Sequence, residues 1–298
     1  MARRFTASTP QSVPPLRIRY HWVIVIFLLL WDGAVPNILH AQSDTSALPP
    51  LSLRATHCGW TLGAQNAIGF GTFRDMGTSP VRYKGVVLQP TFTTLLVTKK
   101  GRWCSDFTIL GGVYEDAVRP RFNFSTFGIN HSFNIGYLHR VTHWNNAALW
   151  VGGLVENRLS VKVNLNYENA SAGVSDLIMV QLRGRYEYFF ATRRGRCTPM
   201  LAAEVGWAPV GLALRPGYAF IDNYTQENDL YTTILSNYEW RTCLLPLLNS
   251  SMEAALQLRN GNRVGLNYQW SFATTWSSGH WRYDEALHLF NLFFLFKL

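Results

Sequence analysis

The sequence predicts an all-β protein, an antiparallel transmembrane β-barrel of about ten strands behind a cleavable signal peptide. Three observations predict it. Charged residues make up only 15% of the 298 residues, while aromatics reach 14%; soluble domains carry about 25% charge. Mean hydropathy is -0.01, too low for a bundle of apolar helices but natural for strands that are apolar on one face. Apolar residues also recur with a period of two along much of the chain. The same figures exclude disorder, which needs few aromatics and high charge. They exclude a small disulfide scaffold as well, since four Cys serve the whole length.

The N-terminus reads as an address. Arg3, Arg4, Arg17 and Arg19 precede the apolar run Trp22–Trp31, and Leu39-His40-Ala41 offers a small residue for cleavage. A membrane anchor is the competing reading, but the run is about half of the roughly 20 residues a spanning helix needs, and Asp32 ends it. Residues 1–41 are therefore predicted to be a signal peptide and 42–58 a short periplasmic segment, with the barrel over 59–298. Removing 1–41 leaves 23 cations and 17 anions, a formal charge of +6 over 257 residues.

The strands are justified in turn by alternation. Near the C-terminus Val264, Leu266, Tyr268, Trp270 and Phe272 alternate with Arg263, Gly265, Asn267, Gln269 and Ser271. The preceding segment sets Met252, Ala254, Leu256 and Leu258 against Ser251, Glu253, Ala255, Gln257 and Arg259, and Asn260-Gly261 between them predicts a type I′ hairpin. Ile178, Val180, Leu182, Tyr186, Tyr188 and Phe190 oppose Gln181, Arg183, Arg185 and Glu187. Phe127, Ile129, Phe133, Ile135 and Tyr137 repeat the pattern, as do Leu159, Val161, Val163 and Leu165. The predicted strands are 60–74, 81–97, 102–115, 122–141, 147–164, 174–192, 197–214, 248–259, 262–275 and 283–298. The stretch 215–247 is assigned to a long extracellular loop over the barrel mouth; it could instead hide two strands and make twelve.

Charge divides between the two ends. Lys99, Lys100, Arg102, Arg140, Arg193, Arg194, Arg196, Arg259 and Arg263 fall by short turns, which the bacterial rule makes periplasmic. Asp75, Glu115, Asp116, Glu168, Asp222, Glu227, Asp229, Glu239, Asp284 and Glu285 fall by the longer loops. A basic rim against phosphate headgroups accounts for the high isoelectric point. Nucleic acid is not an expected partner, because the aromatics lie on the face opposite the charges.

The candidate site is the set of inward charges: Asp106, Glu156, Arg158, Lys162, Arg183, Arg185, Glu187, Glu204, Glu253 and Arg259. A ten-stranded barrel is too narrow for a wide channel, so these charges must pair. They form either a salt-bridged plug or a narrow selective path. Hydrolytic chemistry has little support. His131-Ser132 is the nearest nucleophile–base pairing, and adjacent strand residues face opposite ways. Metal-binding spacings are absent from the sequence, and no cofactor is expected. Cys58, Cys104 and Cys197 fall near predicted periplasmic ends and Cys243 in the predicted outer loop; Cys58–Cys104 or Cys104–Cys197 could form a disulfide, or all could stay free.

The final segment, Phe290, Leu292, Phe294, Phe296 and Leu298, resembles the C-terminal signature of bacterial outer-membrane barrels. Gly85-Val-Val-Leu88 after Gly77–Lys84, Gly152-Gly-Leu-Val-Glu-Asn157 and Leu212-Ala-Leu-Arg-Pro-Gly217 together resemble a family of small Bacteroidota-type outer-membrane β-barrel proteins. That resemblance implies export, an outer-membrane site and no assigned reaction. The expectation is a non-enzymatic, monomeric barrel in contact with outer-membrane lipids, its lumen largely filled, with a structural or interaction role. A narrow channel for a small or apolar molecule is the first alternative, suited by inner positions Leu289, Phe293 and Leu295. A lipid-modifying hydrolase is the second.

Overall fold

A computed structural model describes residues 58–76, 79–117, 126–144, 146–164, 172–190, 197–216, 238–275 and 281–298. Ten strands run through them: β1 (Gly59–Asp75), β2 (Ser79–Val97), β3 (Gly101–Asp116), β4 (Thr126–Trp144), β5 (Ala147–Asn164), β6 (Ala172–Phe189), β7 (Cys197–Pro216), β8 (Tyr238–Leu258), β9 (Arg263–Thr274) and β10 (Tyr283–Lys297). Each strand pairs antiparallel with its neighbours in sequence, and β1 closes the ring on β10 from Thr61↔Lys297 to Asp75↔Tyr283. Closure leaves no unpaired sheet edge. The predicted signal peptide and the segment up to residue 57 lie outside the described residues.

The period of two becomes an inside and an outside. Along β10 Leu287, Leu289, Asn291, Phe293 and Leu295 are buried, while Phe290, Leu292 and Phe296 are exposed. Large apolar side chains are exposed on all ten strands, and buried charges and amides lie within. This inverts the arrangement of a water-soluble protein. Outward-facing charges are confined to the long-loop end: Arg74, Arg82, Lys84, Glu115, Asp176 and Asp284. Below them the outer face of the described strands carries none. On β2 this charge-free stretch runs from Val86 to Leu96. The ten steps between these eleven residues, at about 3.3 Å each and inclined about 40°, span roughly 25 Å, the height of an apolar membrane band.

The structure corrects several expectations. β8 begins at Tyr238, ten residues before the predicted start, and β7 runs on to Pro216, so both ends of the predicted 215–247 loop are strand. The ring closes with the ten strands expected, and the twelve-strand alternative falls. Alternation failed in β8 because of a bulge. The register shifts between Ala208 and Val210, Leu245 adopts φ 48, and Leu244 and Leu245 are both exposed while Pro246 and Leu247 are both buried. Cys243 is therefore a buried strand residue, not part of a loop.

The β8–β9 connection is also longer than a two-residue turn. Gly261 N–H donates to Leu258 C=O at 3.0 Å and Leu258 N–H to Asn262 C=O at 2.8 Å, with positive φ only at Gly261. This is a turn closed by a left-handed glycine. Arg259 occupies the turn and is exposed, so it does not belong to the lumen. Cys58, Cys104 and Cys243 form no disulfide, so neither expected pairing through Cys104 is made. Cys58 lies exposed ahead of β1, and Cys104 points into the lumen from β3, with β2 between them.

Candidate functional site: the barrel lumen

Nine of the ten predicted charges reach the lumen: Asp106, Glu156, Arg158, Lys162, Arg183, Arg185, Glu187, Glu204 and Glu253. Five more join them: Asp75, Arg102, Arg215, Arg263 and Glu285. Position near a turn places Asp75, Arg102, Arg263 and Glu285 at the rims and Arg215 in the loop, but the structure turns all five inward. Their strand parity was the missed signal. Arg102 shares the even positions of Asp106, and Glu285 the odd positions of Leu289 and Phe293. These fourteen are seven cations and seven carboxylates: Arg102, Arg158, Lys162, Arg183, Arg185, Arg215 and Arg263 against Asp75, Asp106, Glu156, Glu187, Glu204, Glu253 and Glu285.

The charges form two layers. Near the long-loop end Arg215 pairs with Asp75. Lys162 donates to the Tyr283 hydroxyl at 2.7 Å and lies 3.6 Å from Glu285. Its ammonium also sits 3.9 Å from the Phe73 ring centroid and 4.2 Å from that of Tyr283, a desolvated cation–π arrangement. Arg158 links Glu285, at 3.8 Å, to Glu156, at 2.9 Å. Gln181 donates to the other Glu156 oxygen, and Asn130 to Glu285 at 3.2 Å. Phe73, Tyr83 and Tyr114 pack beside this layer. Gly112 makes room for Tyr114: a Cβ there would stand 2.6 Å from the ring.

Near the short-turn end Glu187 is the hub. Arg102 reaches it at 2.9 Å, Arg185 at 2.8 Å and Arg263 at 3.9 Å, and the Trp150 indole N–H donates to it at 3.0 Å. Arg102 also lies flat over Trp150, 4.1 Å from the ring. Arg185 continues to Glu253 at 2.6 Å and Glu204 at 3.4 Å, and Arg183 reaches Glu204 at 3.1 Å. Phe189, Met200, Phe293 and Leu295 form an apolar cluster at the same level. Arg140 lies at the edge of this layer, 5.8 Å from the Trp150 ring.

Between the layers is a cavity of about 210 Å³. Three kinds of wall surround it. β1 to β4 contribute uncharged polar groups such as Gln65, Thr91, Thr93 and Asn134; β5 to β9 contribute most of the ion pairs; β10 contributes Leu287, Leu289, Phe293 and Leu295. Asp106 stands among the neutral groups, hydrogen-bonded by Thr93 and Asn134, with Arg183 as its charged neighbour.

His131 and Ser132 separate as their parity requires. His131 packs edge-on against Phe107 on the outer side, at 4.7 Å, while Ser132 lines the cavity. Among the described residues no group of three or more His, Cys, Asp or Glu could hold a metal ion.

No protein-family model matches the chain, and no curated protein matches it. Solved structures similar to it are barrels. The translocator domain of the autotransporter NalP from Neisseria meningitidis is 13% identical, with a TM-score of 0.41, over 83% of this chain and 91% of that one. The outer membrane protease OmpT from Escherichia coli is 7% identical, with a TM-score of 0.45, over 82% of this chain and 100% of that one. The COG4313 outer membrane channel from Pseudomonas putida F1 is 10% identical, with a TM-score of 0.30, over 85% and 100%. At such identities no residue role passes from these proteins to this chain.

Proposed function

We propose that this chain is a monomeric, non-enzymatic outer-membrane barrel, exported by its N-terminal segment, whose lumen is closed by ion pairs and whose role is structural or one of interaction. The observation that carries the proposal is the pair of charge layers spanning the lumen. Buried charges on opposite walls neutralise one another, and apolar clusters fill the space beside them. The charge-free outer band supports a bilayer as the surrounding medium. Placing the short turns in the periplasm sets exposed Lys99, Lys100 and Arg259 beside the inner-leaflet headgroups.

Planar-bilayer recording tests this reading. The closed lumen gives no steady open level, and a stable ohmic current from the unmodified protein overturns it. The second reading, a narrow path for a small molecule, draws on the central cavity and its apolar β10 wall. Uptake of a small solute by vesicles holding the barrel, without steady ion current, would favour it.

A further inference from the structure

We propose that the outer face of the β1–β2 seam, at the long-loop end, binds the phosphate of an outer-leaflet lipid whose headgroup is a phosphomonoester. This rests on the reading of the chain as an outer-membrane barrel and names the lipid chemistry that one part of its outer face selects.

The register of the seam carries the proposal. Arg74 of β1 and Arg82 of β2 are direct partners, and both point outwards. Like charges directly opposite on one face of an antiparallel pair are destabilising. Among the described residues no carboxylate forms an ion pair with either arginine. Asp284 of β10 stands opposite Arg74 on its other side, but its carboxylate is already engaged. Arg282 donates to one oxygen at 2.8 Å and Thr274 to the other at 2.8 Å. Arg74 Nε donates instead to the Met76 sulfur at 3.3 Å, a weak acceptor.

The neighbouring charges add to the imbalance. The next outward pair along the seam is Thr72↔Lys84, with Glu115 at 3.7 Å from the ammonium. Arg282 lies alongside, its carbonyl accepting from the Met76 N–H at 3.0 Å. Four cations, Arg74, Arg82, Lys84 and Arg282, thus share this patch with two carboxylates, Asp284 and Glu115.

What lies below the cations makes the anion a lipid. The following outward pairs are Phe70↔Val86 and Ile68↔Leu88, all four exposed, and exposed Phe290 flanks Ile68 on β10. Val86 opens the charge-free stretch of β2. Read from the loop end, the seam presents two guanidinium groups, an ammonium and then hydrocarbon, which matches a phosphate followed by acyl chains. Guanidinium forks suit phosphate oxygens. A phosphomonoester carries about 1.5 to 2 negative charges at pH 7, enough to neutralise both arginines, whereas a diester carries a single one.

The test is native mass spectrometry on the full chain folded in non-ionic detergent, counting bound lipid as each probe is titrated. The probes are dioleoylphosphatidic acid, a monoester; dioleoylphosphatidylglycerol, a diester; zwitterionic dioleoylphosphatidylcholine; and inorganic phosphate. Phosphatidic acid is expected to bind about tenfold tighter than phosphatidylcholine, with phosphatidylglycerol between them. Arg74→Gln and Arg82→Gln are each expected to weaken phosphatidic acid about fivefold and to leave phosphatidylcholine unchanged, with unchanged heat-modifiable gel migration showing that the barrel still forms. Arg241→Gln removes the same charge from β8, where Glu239 already pairs with it at 3.0 Å, and should leave all three lipids unchanged. Equal binding of the three lipids, or an equal loss in Arg241→Gln, overturns the site. Inorganic phosphate displacing phosphatidic acid at equal concentration would mean that the acyl chains add nothing and overturns a lipid as the occupant. A chain that stays in solution without detergent overturns the outer-membrane reading itself, whereas one that enters phosphatidylcholine vesicles and shows no headgroup preference overturns only the site.

Discussion

Neutralising Glu187 is the sharpest test of the lower layer. The Glu187 carboxylate is 1% exposed and takes charge from Arg102, Arg185 and Arg263. In Glu187→Gln the side chain keeps its shape, and the amide oxygen can still accept from Trp150. The effect concentrates on Arg102. Arg185 keeps Glu204 and Glu253, and Arg263 keeps Glu253, but the carboxylate paired with Arg102 is Glu187. Removing one partner of a buried pair costs about 3–5 kcal/mol. Arg102 retains the Trp150 face at 4.1 Å, so the expected loss lies near the low end, about 3 kcal/mol. Urea unfolding of the vesicle-inserted barrel, followed by tryptophan fluorescence, measures it by linear extrapolation. The double variant Arg102→Met/Glu187→Gln removes both charges and should return to within about 1 kcal/mol of the parent, since replacing a whole buried pair is often neutral. The coupling in the cycle should then exceed about 2 kcal/mol. A single variant within about 1 kcal/mol of the parent, or additive variants, would mean that the carboxylate is solvated. The lower layer would then not close the lumen.

Three further outcomes are expected from the same unfolding assay. Phe92→Arg, in the middle of the charge-free outer band of β2, should lose about 2–4 kcal/mol, whereas Lys84→Leu above the band should change stability by less than about 1 kcal/mol, its partner Glu115 being 3.7 Å away on the same partly exposed face; equal effects would refute the placement of the band. Lys162→Met should cost about 2 kcal/mol or more, through Glu285 left without its ammonium and the lost cation–π contacts, and recording from it should show whether the upper layer is the barrier. Arg259→Ala, on the exposed β8–β9 turn, should stay within about 0.5 kcal/mol of the parent; a loss as large as that of a lumenal charge would contradict its placement.

The fold was legible because a barrel strand writes its two environments into alternate positions. Val264 to Phe272 against Arg263 to Ser271 needed no tertiary information. The start of β8 was not legible, because a bulge spends extra residues and reverses parity. Leu245 and Pro246 broke the pattern that Met252 to Leu258 kept. The lumenal charges were legible as inward positions but not as partners. Lys162 and Tyr283 are 121 residues apart in sequence, and Arg215 and Asp75 are 140 apart; alternation says which way a side chain points, and only ring closure says what it meets. Arg102 and Glu285 were misplaced for a related reason. A residue near a strand end was read by its distance from the turn, while its parity had already turned it inward.

The charge balance of the lumen changes the meaning of the basic isoelectric point. After residues 1–41 the chain holds 23 cations and 17 anions. The fourteen lumenal charges described above are seven of each sign, so as a set they contribute nothing to that +6. Exposed Lys99 and Lys100 in the β2–β3 turn and Arg259 in the β8–β9 turn carry part of that excess at one end. A pore selective for one sign of ion would need an unbalanced ring of lumenal charge. Here the fourteen charges that pair across the lumen balance, and exposed cations stand in the short turns. A balanced set of this kind supplies no such ring.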